Sequence, residues 1–301
     1  MPAPIALFVY KRPEHTRRTI EALANNELAA ESDLIIFSDG SKSEEDKILV
    51  DQVRAYCRSA ATFRSVRMVE SATNKGLANS IVEGLTRVLK EHESIIVLED
   101  DLVCSPFFLS YMNQALAVYE HEESVISIHG YLYPTKEVFP ETFFIHGADC
   151  WGWATWRRSW ELFEHDGSKL LMELKSKNLI PEFNYNNSFP FAKMLEAQIQ
   201  GRNDSWAIRW YASAFLKNKL TLYPAVSLIN NIGFDDTGTH SGHSKAYEAV
   251  LSSRELTVEW KQPIEDRYAR EAFSKYFSSL SGGWVKKTYR MARHLLNFLI
   301  N

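Results

Sequence analysis

Ile95-Ile96-Val97-Leu98-Glu99-Asp100-Asp101 runs four apolar residues straight into three carboxylates. An apolar run of strand length with no alternation reads as a strand buried on both faces, as in a parallel sheet. The same unit recurs upstream. Residues 5–9 form a strand candidate, followed by a helical pattern over 13–25 with Pro13 near its start. Residues 34–37 form a second strand, ending at Ser38-Asp39-Gly40-Ser41, and 47–58 look helical. A third strand at 66–69 precedes an amphipathic helix over 77–90, where Leu77, Ile81, Leu85 and Val88 recur at helical spacing. Beyond the acidic triplet come a helix at 106–119 and a fifth strand at 125–128. Strand–helix alternation implies an α/β fold, a mostly parallel sheet flanked by helices, with right-handed crossovers. Ligands of such sheets bind outside the strands' carboxyl ends. Lys11-Arg12, Ser38-Asp39-Gly40 and Glu99-Asp100-Asp101 are all expected on that edge.

After about residue 140 the pattern changes. Trp151-Gly152-Trp153-Ala154-Thr155-Trp156-Arg157-Arg158-Ser159-Trp160 holds four of the eight tryptophans. Helical segments follow near 189–200 and 205–217, then a short strand at 220–223 and a loop at 230–244 rich in Gly, Asp and His.

The chain has 301 residues, with 34 basic against 38 acidic. A net charge of −4 argues against a generic nucleic-acid binder. The charge is unevenly spread. Residues 284–301 contain Lys286, Lys287, Arg290 and Arg293 and no acid, so the first 283 residues carry −8. In that tail Val285, Ala292, Leu295, Leu296 and Leu299 can share one helical face, with Lys286, Arg290 and Arg293 on another. This is the pattern of a terminal amphipathic helix for an anionic membrane surface, or of a basic helix docked on the acidic body. Three cysteines (Cys57, Cys104, Cys150), odd in number and without a CxxC, suit a reducing compartment. The first ten residues read as a buried strand rather than a signal peptide. No run approaches about 18 apolar residues.

Each polar cluster has two readings. Three adjacent carboxylates are either a solvated turn or a site for a hard cation such as Mn²⁺ or Mg²⁺. Position directly after a buried strand favours the cation. Asp39 sits in a turn sequence, or holds a nucleotide. Asn74-Lys75-Gly76 opens a helix, as a plain cap or as an amide cradle for a diphosphate. His240, in Gly238-Thr239-His240, is a solvated loop residue or completes a metal site. Asp204 is a helix N-cap or a general base. The tryptophans are core or a sugar platform.

Taken together, these residues resemble a glycosyltransferase of the GT-A fold. Val9-Tyr10-Lys11-Arg12-Pro13-Glu14-His15 resembles the nucleotide-binding opening of family 2-like enzymes. Val97-Leu98-Glu99-Asp100-Asp101-Leu102, followed by Pro106-Phe107-Phe108-Leu109-Ser110-Tyr111, is similar to the animal N-acetylglucosaminyltransferases that begin complex N-glycan branching. Gly152-Trp153 and Asp204-Ser205-Trp206 come in the same order as that family's acceptor loop and base motif.

The resemblance implies a Rossmann-like GT-A sheet with a C-terminal acceptor-side elaboration. Residues 1–130 would bind the nucleotide-sugar, 131–245 the acceptor, and 246–301 form a helical extension. Tyr10, Lys11, Arg12, Asp39, Asn74, Lys75, Glu99 and Asp100 would bind the donor, a UDP-sugar by this resemblance. Asp101, with His240, would hold Mn²⁺ or Mg²⁺. Trp151, Trp153 and Trp206 would meet the acceptor, a glycan or lipid-linked glycan. Asp204 would be the base of an inverting displacement, with Asp235 and Asp236 as competitors, because the family's second carboxylate is Ser205 here. The expected enzyme is of bacterial type and cytoplasmic, peripheral on the inner membrane face if the tail binds lipid, and the acceptor would then serve a surface polysaccharide. Two alternatives stand beside it: a sugar-phosphate nucleotidyltransferase, disfavoured because Tyr10–His15 lacks glycine, and an inactive carbohydrate-binding protein on the same fold.

Overall fold

The computed structural model describes residues 1–235 and 245–280. The tail from 284 and His240, both singled out above, lie outside the described residues.

Chain order gives β1 (Ile5–Val9), α1 (Pro13–Ala24), β2 (Asp33–Ser38), α2 (Glu44–Arg58), β3 (Ser65–Glu70), α3 (Leu77–Glu91), β4 (Ser94–Glu99), β5 (Leu102–Cys104), α4 (Phe108–Val118) and β6 (Val125–His129). Then follow β7 (Thr142–His146), β8 (Trp153–Trp156), α5 (Arg157–Trp160), α6 (Gly167–Ser176), α7 (Ile180–Phe183), α8 (Phe191–Ile199), α9 (Trp206–Leu216), β9 (Leu220–Pro224) and β10 (Ile229–Asn231). A further helix, α10, covers 267–280.

Eight strands form one sheet in the order β3-β2-β1-β4-β8-β6-β9-β7. The half β3-β2-β1-β4 is parallel throughout. Its strands are apolar without alternation because both faces are covered. Ile5, Leu7 and Val9 of β1 join the core beneath α1, α2 and α4, while Ala6 and Phe8 join the core beneath α3 and α9. Each buried Ile, Leu, Val or Phe side chain contributes roughly 1.5–3 kcal/mol.

The other half is mixed. Trp153–Trp156, expected only as an aromatic cluster, is strand β8, antiparallel to both β4 and β6. It can lie between them because all four of its residues are buried. β9 is parallel to β6, and β7 closes the edge antiparallel to β9. A third core gathers Phe143, Leu174, Phe183, Leu195, Phe215 and Phe273 from β7, α6 to α10. Among the described residues no helix is long and apolar enough to cross a membrane.

Topology fixes the site. From β1 the chain steps outward to β2 and β3, then returns to β4 on the other side of β1. That reversal opens a crevice at the carboxyl ends of β1 and β4, where open α/β sheets bind ligands.

Candidate functional site

Arg12 follows β1 and the acidic triplet ends β4, so the crevice brings them together. Arg12 Nη1 lies 2.8 Å from Asp101 Oδ2 and 3.8 Å from Asp100 Oδ1. The Tyr10 backbone N–H donates to Asp100 Oδ2 at 3.3 Å, and the Thr19 hydroxyl donates to the Asp100 carbonyl. Asp235, on the loop after β10, reaches the same cluster: His15 Nε2 is 3.0 Å away and Arg12 Nη2 3.8 Å. The Ile232 N–H donates to the Asp101 carbonyl, and Gly233 abuts the Asp101 carboxylate, where a Cβ would lie 2.1 Å from Oδ2. Only glycine leaves that carboxylate its place.

Burial dominates the electrostatics. It raises the Glu99 carboxyl well above the ordinary range, and the neighbouring Asp101 and Asp100 charges push the same way against Arg12. Asp100 is pushed up to about 7 by burial and by Asp101, again opposed by Arg12. Two carboxyls in a poor state for ionisation, backed by one guanidinium, form a set that a further cation would relieve. The donors are hard oxygens, which suit Mn²⁺ or Mg²⁺ in kind. Among the described residues no group of three or more His, Cys, Asp or Glu is arranged to hold a metal, and Arg12 already takes one Asp101 oxygen.

These shifts predict a pH effect. Asp100 has an ordinary value of 3.8 when unfolded and about 7 when folded. Below about 4 both states hold the proton. Between about 4 and about 7 only the folded state holds it, so folding stability falls as pH rises through that window. At about 1.4 kcal/mol per pH unit, the loss is at most a few kcal/mol. Asp100→Asn is expected to flatten this slope and raise Tm at pH 8 more than at pH 5, as read by thermal melts. Parallel melting curves against pH would contradict it.

Asp39, at the end of β2, has its carboxylate held by three backbone N–H groups: Gly40 at 2.8 Å, Lys75 at 2.9 Å and Gly76 at 3.0 Å. The amides expected to cradle a diphosphate are therefore turned to Asp39. Asn74 Nδ2 donates to the Gly40 carbonyl, and Lys75 Nζ pairs with Glu83. Gly76, at φ 79°, caps α3. Lys11 Nζ and the Tyr10 hydroxyl both reach Asp46, at 2.6 Å and 2.9 Å. Burial and Asp46 push Tyr10 up to about 12, so it stays a neutral donor. Asp46, in the first turn of α2, carried no sequence signal beyond the cap Ser43, which accepts from its N–H.

Asp204 is not the N-cap of α9. Ser205 holds that place, its hydroxyl accepting from Ile208 N–H at 3.2 Å. The exposed Asp204 carboxylate instead lies against Gly76, where a Cβ would be 3.3 Å from Oδ2, so it stands beside the α3 N-terminus. Two of the expected acceptor tryptophans are corrected. Trp153 is 1% and Trp206 3% exposed, and they stack on each other at 5.6 Å within the core, leaving no ring face for a sugar. Trp151 is half-buried, edge-on to Tyr131, Phe234 and Tyr247.

The crevice thus joins Tyr10, Arg12, Glu99, Asp100, Asp101 and Asp235, with Asp39 and Asp204 at its flank beside Gly76. Asp46, the pairing of His15 with Asp235 and the contact between Asp235 and Arg12 carry no signal in the sequence.

In comparisons with known proteins, a family model described as "Glycosyl transferase family 2" matches residues 5–176. No curated protein matches. Among solved structures, a mannosyltransferase from Pyrobaculum calidifontis in complex with GDP-Man and Mn²⁺ is 14% identical, covers 42% of this chain and 36% of its own, and has a TM-score of 0.31. Glucosyl-3-phosphoglycerate synthase from Mycobacterium tuberculosis, in complex with Mn²⁺, UDP and glucosyl-3-phosphoglycerate, is 11% identical over 54% of this chain and 58% of its own, at 0.34. TarS from S. aureus (1–349) is 12% identical over 75% and 59%, at 0.38. This chain therefore spans between about a third and three-fifths of these proteins. At such identities none speaks to substrate.

Proposed function

The chain belongs to glycosyl transferase family 2, and from that premise we propose that it transfers a sugar from a nucleotide-sugar, a UDP-sugar first, to a hydroxyl of a glycan or lipid-linked glycan. The observation that carries this is the Arg12–Asp101 contact at 2.8 Å across the crevice between β1 and β4. It supports this reading because a guanidinium, a group suited to phosphate, and hard carboxylates meet at the edge where open sheets bind their ligands.

In this account Arg12 faces the diphosphate, with Glu99 and Asp100 toward the ribose and sugar. Asp101 is the carboxylate that would hold Mn²⁺ or Mg²⁺. That ion would supply Lewis-acid stabilisation to the departing diphosphate. As the acceptor oxygen bonds to the anomeric carbon and that carbon's bond to the diphosphate breaks, Asp204 takes the hydroxyl proton, and this single displacement inverts the anomeric centre. Asp235 is the weaker candidate for base, being paired with His15 and Arg12. Asp236 and His240 lie outside the described residues. The order of Glu99-Asp100-Asp101-Leu102, Gly152-Trp153 and Asp204-Ser205-Trp206 supports kinship in mechanism with the animal N-acetylglucosaminyltransferases.

The test is product identity. Incubated with UDP- and GDP-sugars and Mn²⁺, the protein is expected to release nucleoside diphosphate. Release of sugar 1-phosphate with pyrophosphate as co-substrate would instead mark a nucleotidyltransferase.

A cytoplasmic, membrane-peripheral location belongs to the same proposal and rests on residues 284–301. Their deletion is expected to reduce sedimentation with anionic liposomes and leave nucleotide-sugar binding unchanged. Equal sedimentation with and without the tail would remove the membrane from the account.

A further inference from the structure

One polar group on the same edge has no role in the donor site. Asp149 lies on the segment between β7 and β8, which passes through Gly147 at φ 105° and Gly152 at φ 62°. Its Oδ2 accepts from the Tyr133 hydroxyl at 2.6 Å and the Tyr223 hydroxyl at 3.2 Å. Its Oδ1 accepts from the Cys150 N–H at 2.8 Å. His129, the last residue of β6, sends Nε2 to within 3.6 Å of the same carboxylate. That ring is fully buried, and neither of its nitrogens has a hydrogen-bond partner among the described residues. Burial holds it below the usual imidazole range, against the pull of the Asp149 charge. The Asp149 side chain, by contrast, is 20% exposed. The carboxylate is thus fixed from the protein side, on a side chain that is partly open to solvent.

Its place is on the acceptor side of the crevice. Trp153 pairs with Val97 of β4 and with His129 of β6, so the residues just before Trp153 run beyond the same carboxyl ends as Glu99. Besides burial, the charges of Asp149, Glu99 and Asp101 push the Cys150 thiol up. Half-buried Tyr133 and Trp151 flank the segment, joined through Tyr131 at 5.3 Å and 4.8 Å. A carboxylate amid aromatic rings matches a sugar, which offers hydroxyl donors and apolar ring faces.

We propose that Asp149 is an acceptor-binding residue that receives a hydroxyl of a neutral sugar, with Tyr133 and Trp151 beside it. This rests on the nucleotide-sugar transfer proposed above. A charge-assisted bond to a hydroxyl is favourable there. The carboxylate itself works against an acceptor that bears phosphate next to the bound hydroxyl.

The probes are p-nitrophenyl glycosides of glucose, galactose, mannose and N-acetylglucosamine, with any nucleotide-sugar the full-length protein binds. Asp149→Asn is expected to raise the acceptor KM at least about tenfold while the donor Kd, read by calorimetry, stays within about twofold. Loss of donor affinity in step with transfer, or an unchanged acceptor KM, would overturn the proposal. So would a wild-type protein that consumes donor yet transfers to none of these glycosides. If Asp149→Asn does not fold, Asp149→Glu, which keeps the charge and moves it by one methylene, must show the same split. A wild-type protein that binds no nucleotide-sugar would overturn the donor assignment itself, and this one with it. Intact donor binding with an unmoved acceptor KM would overturn this one alone.

Discussion

Replacing Asp101 with alanine is expected to cut transfer at least about a thousandfold, roughly 4 kcal/mol of transition-state stabilisation, and to weaken nucleotide-sugar binding about tenfold. Asp101 is singled out within the triplet by its surroundings. Its side chain is 18% exposed, whereas Asp100 is buried and Glu99 and Asp100 both resist ionisation. Asp101 is thus the member of the triplet that pairs with Arg12 and, being more exposed than Asp100, is open to a cation. Alanine also removes the 2.8 Å partner of Arg12, which keeps Asp100 and Asp235 at 3.8 Å. The guanidinium therefore remains neutralised, and the fold is expected to survive. Asp101→Asn, similar in size, separates charge from volume and is expected to lose nearly as much. Titration of activity with Mn²⁺, after EDTA, reads the effect. Full activity of Asp101→Ala in EDTA would contradict it.

Asp204→Asn is expected to lower kcat by about 10²–10⁴ and leave donor affinity unchanged, the signature of a lost general base. The geometry supports this division. Asp204 lies beside Gly76, whose N–H anchors Asp39, but it makes no hydrogen bond to the Arg12 cluster among the described residues. Ser205 caps α9, so the substitution leaves the helix start intact. Single-turnover rates set against calorimetric donor Kd check it. Near-wild-type turnover would move the proton transfer to another group, with Asp235 the next to examine.

The parallel half of the fold was legible because burial on both faces leaves unbroken apolar runs, and because Pro13 and the turn at Ser38-Asp39-Gly40 punctuate them. The meeting of Arg12 with the acidic triplet followed from topology alone. β8 was not legible: a strand made of Trp-Ala-Thr-Trp owes its place to pairing with β4 and β6, which no local pattern encodes. The same burial decides Trp153 and Trp206, since an aromatic residue in a core and one on a sugar platform share one spelling. Asp204 and Ser205 are both good caps, and only the backbone (Ser205 at φ −78°, ψ 106°) selects between them. Asp46 and Asp149 escaped notice because each gains its role from partners brought by tertiary packing, Lys11 in one case and Tyr133 and Tyr223 in the other. Asp39, a donor ligand only by the resemblance, has three amides on its carboxylate that tie the β2 end to the start of α3.

Calorimetric titration of the full chain with UDP- and GDP-sugars, with and without Mn²⁺, tests the central claim most directly. At least one nucleotide-sugar is expected to bind with micromolar Kd in Mn²⁺, about tenfold or more weaker without it, and with the affinity reduced in Asp101→Ala. No binding of any nucleotide-sugar in the presence of Mn²⁺, by a protein that melts cooperatively, would contradict it.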